Sequence, residues 1–156
     1  MIVRKCTAAD KEIWVKLNQE HMDEALGGGN LFWEETKERG IQKLGESFDI
    51  ALEKDPSIIL LLFEKDGEVV GNVNLNAIYS VWSKGESLIV DDFFIKEEFR
   101  GKGLGQEGIV LIEQYAMENG YRRIQFLSVS ENEGIQKVWE DYGYNPMDMK
   151  FYMRYI

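Results

Sequence analysis

The spacing of hydrophobic and polar positions changes several times along the chain, and each change marks an element. MIVRK reads as a short first strand. Ile13, Trp14 and Leu17 then recur at helical spacing and predict a helix to about Leu26. Thr7 stands as its N-cap, with Asp10 in the place of a capping-box acid. GGGN, Gly27 to Asn30, breaks the helix and reads as a flexible loop. A second helical region follows from about Phe32 to Leu52, with an interruption expected near Gly40 or Gly45. SIILLLFEK is a continuous apolar run, as in a buried strand. Asp66-Gly67 is a hairpin turn signal, and VVGNVNLNAIY alternates as a strand does. A turn at Lys84-Gly85 leads into SLIVDDFFI. A helix is expected from about Gly103 to Asn119, with Leu104, Gly108, Leu111, Ile112 and Tyr115 on one face. RRIQFLSVS reads as a strand, EGIQKVWEDY as a helix and MDMKFYMRYI as a final strand. The order β-α-α-β-β-β-α-β-α-β predicts one α/β domain over residues 1–156, with a hairpin meander in the middle.

Composition narrows the class of partner. A chain of 156 residues, 44% hydrophobic and 12% aromatic, is large enough for a packed core. The net charge of −10 disfavours nucleic acid and anionic membranes. It suits a cationic substrate, and it also serves solubility alone. One cysteine, Cys6, and one histidine, His21, provide neither a disulfide nor a Cys/His metal site. Cys6 is expected to pack as a small hydrophobe. The start of the chain carries no long apolar run, and no segment reaches membrane-spanning length, so a soluble, cytoplasmic protein is expected.

The chemistry concentrates in RGKGLGQEG, Arg100 to Gly108. A phosphate-binding P-loop requires lysine followed by a hydroxyl residue, whereas Lys102 is followed by Gly103. A dinucleotide fingerprint requires its first glycine at the end of a strand, whereas KEEFRGK separates Ile95 from Gly103. The remaining reading is a glycine-rich turn opening a helix. Its backbone can approach an anion closely, and the helix start offers unpaired N–H groups and partial positive charge.

IVDDFFIKEEFRGKGLG resembles the core motif of the GNAT superfamily of acyl-CoA-dependent N-acetyltransferases. Arg100, Gly103 and Gly105 meet its pattern [QR]-x-x-G-x-[GA], and the later N-E-G…W-E-D-Y-G-Y segment falls in a fitting place. The resemblance implies a mixed central sheet of about six or seven strands flanked by about four helices. Within the superfamily the chain is most similar to the diamine and spermidine/spermine acetyltransferases. Asp91-Asp92-Phe93-Phe94-Ile95 precedes the glycine turn as in that subgroup, Thr7 to Asp10 match an early T-A-A-D, and Trp82 precedes the fourth strand.

The resemblance implies acetyl-CoA as co-substrate and often a homodimer. It implies that the backbone of Phe93, Phe94 and Ile95 pairs with the pantetheine arm, and that Asn132 bonds the same arm. Arg100, Gly101, Lys102, Gly103, Leu104, Gly105 and Gln106 would hold the pyrophosphate.

An attacking amine must first lose its proton, and a carboxylate can take it. Asp91 is the first choice and Asp92 the second. As adjacent strand residues, they are expected to point to opposite faces. The tyrosine that many relatives use to protonate the leaving thiolate is replaced here by Trp139. An indole is no usable acid, so Tyr142, three residues on, is the stand-in. Glu20, Asp23, Glu24 and Trp82 are candidates to receive a cationic acceptor. The expected acceptor is a small, polyamine-like primary amine. An amino acid, antibiotic or protein amine is the alternative, as is a CoA-binding module with little turnover.

Overall fold

A computed structural model describes residues 1–26, 31–127, 133–147 and 154. The GGGN loop, Asn132 and most of the last expected strand lie outside the described residues. Two compact units are present, Met1–Phe126 and Leu127–Ile156.

The first unit is built on a sheet of five described strands, fewer than the six or seven that the resemblance implies, in sequential order: β1 (Ile2–Lys5), β2 (Ile58–Lys65), β3 (Glu68–Ser80), β4 (Gly85–Ile95) and β5 (Arg123–Phe126). The first four strands pair antiparallel, and β5 runs parallel to β4. Three helices belong to this unit: α1 (Lys11–Leu26), α2 (Leu31–Glu53) and α3 (Leu104–Glu118). The crossover from β4 to β5 passes through α3, as a parallel pair requires.

The continuous apolar run of β2 follows from cover on both faces. Ile59, Leu61 and Phe63 join a core with Val73, Leu75, Leu104 and Ile112 on the α3 side. Leu60 and Leu62 join Trp14, Leu17, Leu44, Phe48 and Phe94 on the α1–α2 side. The Asp66-Gly67 signal is a true two-residue hairpin turn. Both residues have positive φ, +53° and +83°, as a type I′ turn demands.

Three expectations change in detail. The helix from the first capping site begins with a 3-10 turn at Ala8–Asp10 before α1 proper. There the Thr7 N–H donates to the Asp10 carboxylate at 2.7 Å. The second helix is continuous for 23 residues and is not interrupted at Gly40 or Gly45. Gly40 instead allows α1 and α2 to approach, since a Cβ there would lie 2.9 Å from Met22 Cε. The buried face of α3 includes Ile109 and Ala116 as well as Leu104, Gly108 and Ile112, while Leu111 and Tyr115 are only partly buried.

The second unit contains α4 (Glu133–Asp141). It ends at Gly143, whose φ is +86°, with the Tyr144 N–H donating to the Trp139 carbonyl at 3.0 Å.

Candidate active site

The site begins where β4 leaves β5. The parallel pairing covers only Ser87 to Val90. From residue 91 to residue 95, β4 keeps β3 on one edge, and no described strand pairs with the other. This leaves the N–H and C=O groups along that edge available to an extended ligand, apart from the Ile95 carbonyl, which accepts from Arg100 Nε. Phe93 and Phe94 turn to opposite faces. Phe93 packs on Phe63 and beneath Gly108, and Phe94 joins the α1–α2 core.

A β-bulge lies at the same point. Asn74 faces Asp92 and Leu75 faces Val90, so Asp91 is the extra residue of β4. The bulge corrects the expectation that Asp91 and Asp92 part to opposite faces. Asn74 and Asn76 stand two apart on β3, hence on one face. Asn74 Nδ2 donates to Asp92 Oδ2 at 2.9 Å, and Asn76 Nδ2 donates to Asp91 Oδ2 at 3.3 Å. Strict alternation fails because one inserted residue shifts the pleat. Asp91 is itself solvent-exposed, yet the protein packed around its carboxyl, and then the neighbouring Asp92 charge, push it above the usual carboxylate range, against the Asn76 hydrogen bond.

Asp92 belongs to a polar network that the sequence analysis missed. Asn74 Oδ1 accepts from Trp14 Nε1 at 2.9 Å, and Asn74 Nδ2 also donates to Asn18 Oδ1 at 2.6 Å. Asn18 Nδ2 donates to the Trp14 carbonyl at 2.8 Å. His21 Nδ1 lies 3.6 Å from Asp92 Oδ1, and the imidazole stacks on Phe94 with centroids 5.2 Å apart. Trp14, Asn18 and His21 recur at four- and three-residue steps on α1, and Asn72, Asn74 and Asn76 alternate on β3. Those two periodic polar stripes were the available signal.

The glycine turn follows a short 3-10 turn at Glu97–Phe99. Gly101 and Gly103 have φ of +70° and +77°, which a side chain would strain. Gly103 is the N-cap of α3, and the first helical bond runs from the Glu107 N–H to its carbonyl at 3.1 Å. The N–H groups of Leu104, Gly105 and Gln106 therefore precede the helical ladder and lack a partner within it. A Cβ at Gly105 would meet nothing within 4 Å, so the space above the helix start is open. This cradle fits a pyrophosphate approached through backbone groups.

The cationic side chains of the turn are already engaged. Arg100 Nε donates to the Ile95 carbonyl at 2.7 Å, its Nη2 to Glu24 Oε2 at 2.7 Å, and its guanidinium lies 5.2 Å from the Phe94 ring centroid. Lys102 Nζ donates to the Glu98 carbonyl at 2.8 Å. Gly108 is the small residue that Phe93 and Phe63 require, with a Cβ there 2.9 Å from Phe93 Cζ. The dinucleotide-like spacing is thus a packing coincidence.

Between α1 and the end of β4 lies a recess of about 300 Å³, lined by Lys16, Glu20, Glu24, Phe94, Lys96, Glu97 and Glu98. Glu20 and Glu24 are brought to it. Asp23 pairs with Lys37 of α2 at 2.7 Å. Trp82 is not brought near the aspartates. It sits 95% exposed in the turn between β3 and β4, and Asp91 lies six residues beyond the start of β4, roughly 20 Å along a strand. Tyr142 follows the end of α4 and is 41% exposed within the second unit. Cys6 packs against the α1–α2 core, and burial pushes its thiol up to about 12. Among the described residues, no group of three or more His, Cys, Asp or Glu is placed to hold a metal ion, and no helix is long and apolar enough to cross a membrane.

The chain belongs to the acetyltransferase (GNAT) family, whose sequence model matches residues 15–144. It is 29% identical over 93 residues to the uncharacterized N-acetyltransferase YhfO of Bacillus subtilis (strain 168), covering 60% of this chain and 62% of that one. It is 26% identical over 65 residues to thialysine N-epsilon-acetyltransferase of Bos taurus, covering 42% and 38%. The matched stretches thus span less than two thirds of these relatives' own lengths. In fold, it is similar to the crystal structure of a possible acetyltransferase from Clostridium difficile 630. The TM-score is 0.79 at 15% identity, covering 99% of this chain and 96% of that one.

Proposed function

We propose that the protein is an acetyl-CoA-dependent N-acetyltransferase acting on a small, polyamine-like primary amine. One observation carries the reading: the free edge of β4 runs from the bulged Asp91 directly towards the open glycine turn at the start of α3. That edge suits a pantetheine arm, the turn suits a pyrophosphate, and Asp91 stands where β4 and β5 separate.

In this reading the backbone of Phe93, Phe94 and Ile95 aligns the arm, with Asn132 as a further partner. The N–H groups from Gly103 to Gln106 bind the pyrophosphate. Arg100 and Lys102 shape the turn through the carbonyls they hold. Asp91 accepts the proton of the incoming ammonium, directly or through water, and the freed amine attacks the thioester carbonyl carbon. Asp91 is favoured over Asp92 because both oxygens of Asp92 already face partners, whereas Asp91 has a single 3.3 Å contact and a raised affinity for a proton. As the carbon–sulfur bond breaks, the thiolate takes a proton from water; thiols are acidic enough to leave without a dedicated donor.

The recess beside β4 carries more carboxylates (Glu20, Glu24, Glu97 and Glu98) than ammonium groups (Lys16 and Lys96), and this surplus would favour a cation even with Glu24 paired to Arg100. The bovine relative's name, which specifies the terminal amine of a lysine analogue, agrees with a primary alkylamine acceptor. The homodimer implied by the resemblance is retained as part of the proposal.

Thiol release from acetyl-CoA across a panel of diamines, polyamines, amino acids and aminoglycosides tests the reading. Stimulation by diamines or polyamines is expected. Binding of acetyl-CoA without release by any amine would leave only a CoA-binding module.

A further inference from the structure

We propose that Glu24 is a positioning residue for the cofactor. By holding Arg100 across the end of β4, it fixes where a bound CoA arm leaves the strand edge and turns towards the start of α3. The proposal rests on the functional reading above, in which that edge and that turn bind CoA.

The geometry starts at Ile95. The Lys96 N–H donates to the Val70 carbonyl at 3.0 Å, so Lys96 faces β3. Backbone groups alternate along a strand, so the N–H and C=O of Ile95 face the other, open edge. There the Ile95 carbonyl accepts from Arg100 Nε at 2.7 Å. Arg100 thus occupies the last acceptor of the open edge, and an extended ligand must part from β4 before it. The residue after Arg100 is Gly101, where the backbone enters positive φ and the glycine turn begins. The guanidinium therefore stands at the junction between the two halves of the proposed CoA site.

Two further contacts hold the guanidinium there. Its Cζ lies 5.2 Å from the ring centroid of the buried Phe94. Its Nη2 donates to Glu24 Oε2 at 2.7 Å. Ile95 and Phe94 belong to β4, whereas Glu24 comes from α1. Glu24 is thus the contact that ties Arg100 to an element outside the strand and its turn. A planar fork can serve a carbonyl, an aromatic face and a carboxylate together, which an ammonium cannot. Both partners of the ion pair are partly exposed, so it adds little to global stability. Its role is directional.

This assignment differs in sign from direct attraction of phosphate by Arg100. If the guanidinium bound phosphate itself, Glu24 would compete for it, and removing Glu24 would tighten the anionic ligand. If Glu24 positions Arg100, removing it loosens the ligand. It also differs from a role for Glu24 in receiving the amine, since that role would be read in the KM of the amine.

The test is calorimetric titration of the 156-residue chain with acetyl-CoA, with the KM of the amine measured alongside. Glu24→Ala should weaken acetyl-CoA by about 3- to 5-fold, the loss expected of one partly exposed ion pair, while the KM of the amine stays within about twofold. Glu24→Gln, whose amide oxygen still accepts from Arg100, should recover most of that affinity. Arg100→Lys keeps the charge but cannot serve Ile95 and Glu24 together. It should weaken acetyl-CoA at least as much, and adding Glu24→Ala to it should bring little further loss, because the two changes break one interaction. Unchanged or tighter binding in Glu24→Ala overturns the proposal. So does an equal loss in Glu24→Gln, a rise in the KM of the amine in place of the loss in CoA affinity, or full additivity with Arg100→Lys. If the wild-type chain does not bind acetyl-CoA, the functional reading fails and takes this one with it. Wild-type binding with unmoved Glu24 variants refutes this one alone.

Discussion

Gly105 separates the needs of the fold from the needs of the proposed ligand. Gly101 and Gly103 hold positive φ, so any side chain there strains the backbone before it meets a phosphate. Gly105 lies inside α3 with open space where its Cβ would be. Gly105→Ala should stabilise the protein slightly, by up to about 0.5–1 kcal/mol, because alanine favours the helix. Gly105→Val should weaken acetyl-CoA binding by about tenfold or more in calorimetry, with the melting temperature nearly unchanged. Equal affinity for CoA would remove the turn from the site. Asp91→Asn complements this test. It should lower kcat by about 100-fold or more while CoA affinity stays within about threefold, the signature of a lost base rather than a lost ligand. Both positions were legible in the sequence as residue types in a motif. The shared face of Asp91 and Asp92 was not, because a bulge is a relation between two strands.

At the scale of elements, β4 does two jobs, and its neighbours reflect both. Its first half is sealed between β3 and β5, and its second half is open on one edge. Gly71 lets β3 lie tightly against that second half, since a Cβ there would stand 2.2 Å from the Phe94 carbonyl oxygen. Gly71→Ala should therefore shift the backbone of Phe94 and destabilise the protein by about 1–3 kcal/mol, read as a lowered denaturant midpoint. It should also weaken CoA binding, because the displaced backbone is the proposed pantetheine edge. The helices were legible by their apolar stripes. The polar continuation of the α1 stripe into Asn18 and His21 passed unnoticed, because only contact with Asn74 and Asp92 shows that it faces inward.

Across the whole molecule, the acidic surface coexists with a strongly held carboxylate, Asp10. Arg4 donates to both oxygens of Asp10 at 2.8 Å, and the Thr7 N–H adds a third bond. The Arg4 hydrogen bonds, aided by Thr7, hold the Asp10 carboxyl well below the usual range despite its burial. A depressed folded-state value stabilises the fold fully above the unfolded carboxyl range, about pH 4, and that contribution is lost as pH falls further. Asp10→Asn should cost about 1–2 kcal/mol at neutral pH and flatten the decline in stability below about pH 4, seen in urea titrations. The proposed dimer also belongs to this scale. Tyr79, Val81 and Trp82 are strongly exposed at the β3–β4 hairpin tip, an apolar patch that a second copy would cover. Sedimentation should show a dimer, and Trp82→Ser should weaken it by about tenfold or more. A monomer at all concentrations would refute that part of the proposal.

The sequence by itself determined the order of elements from β1 to α4, the hairpin turn at Asp66-Gly67 and the glycine-rich start of α3. Each of these is written locally, in side-chain period or in backbone permission. Only the tertiary structure decided that β4 parts from β5 after Val90, that Asp91 and Asp92 share a face, and that His21 and Asn74 stand behind them. Those features depend on which strand lies beside which and in what register, and no periodicity within one segment encodes the register of its neighbour.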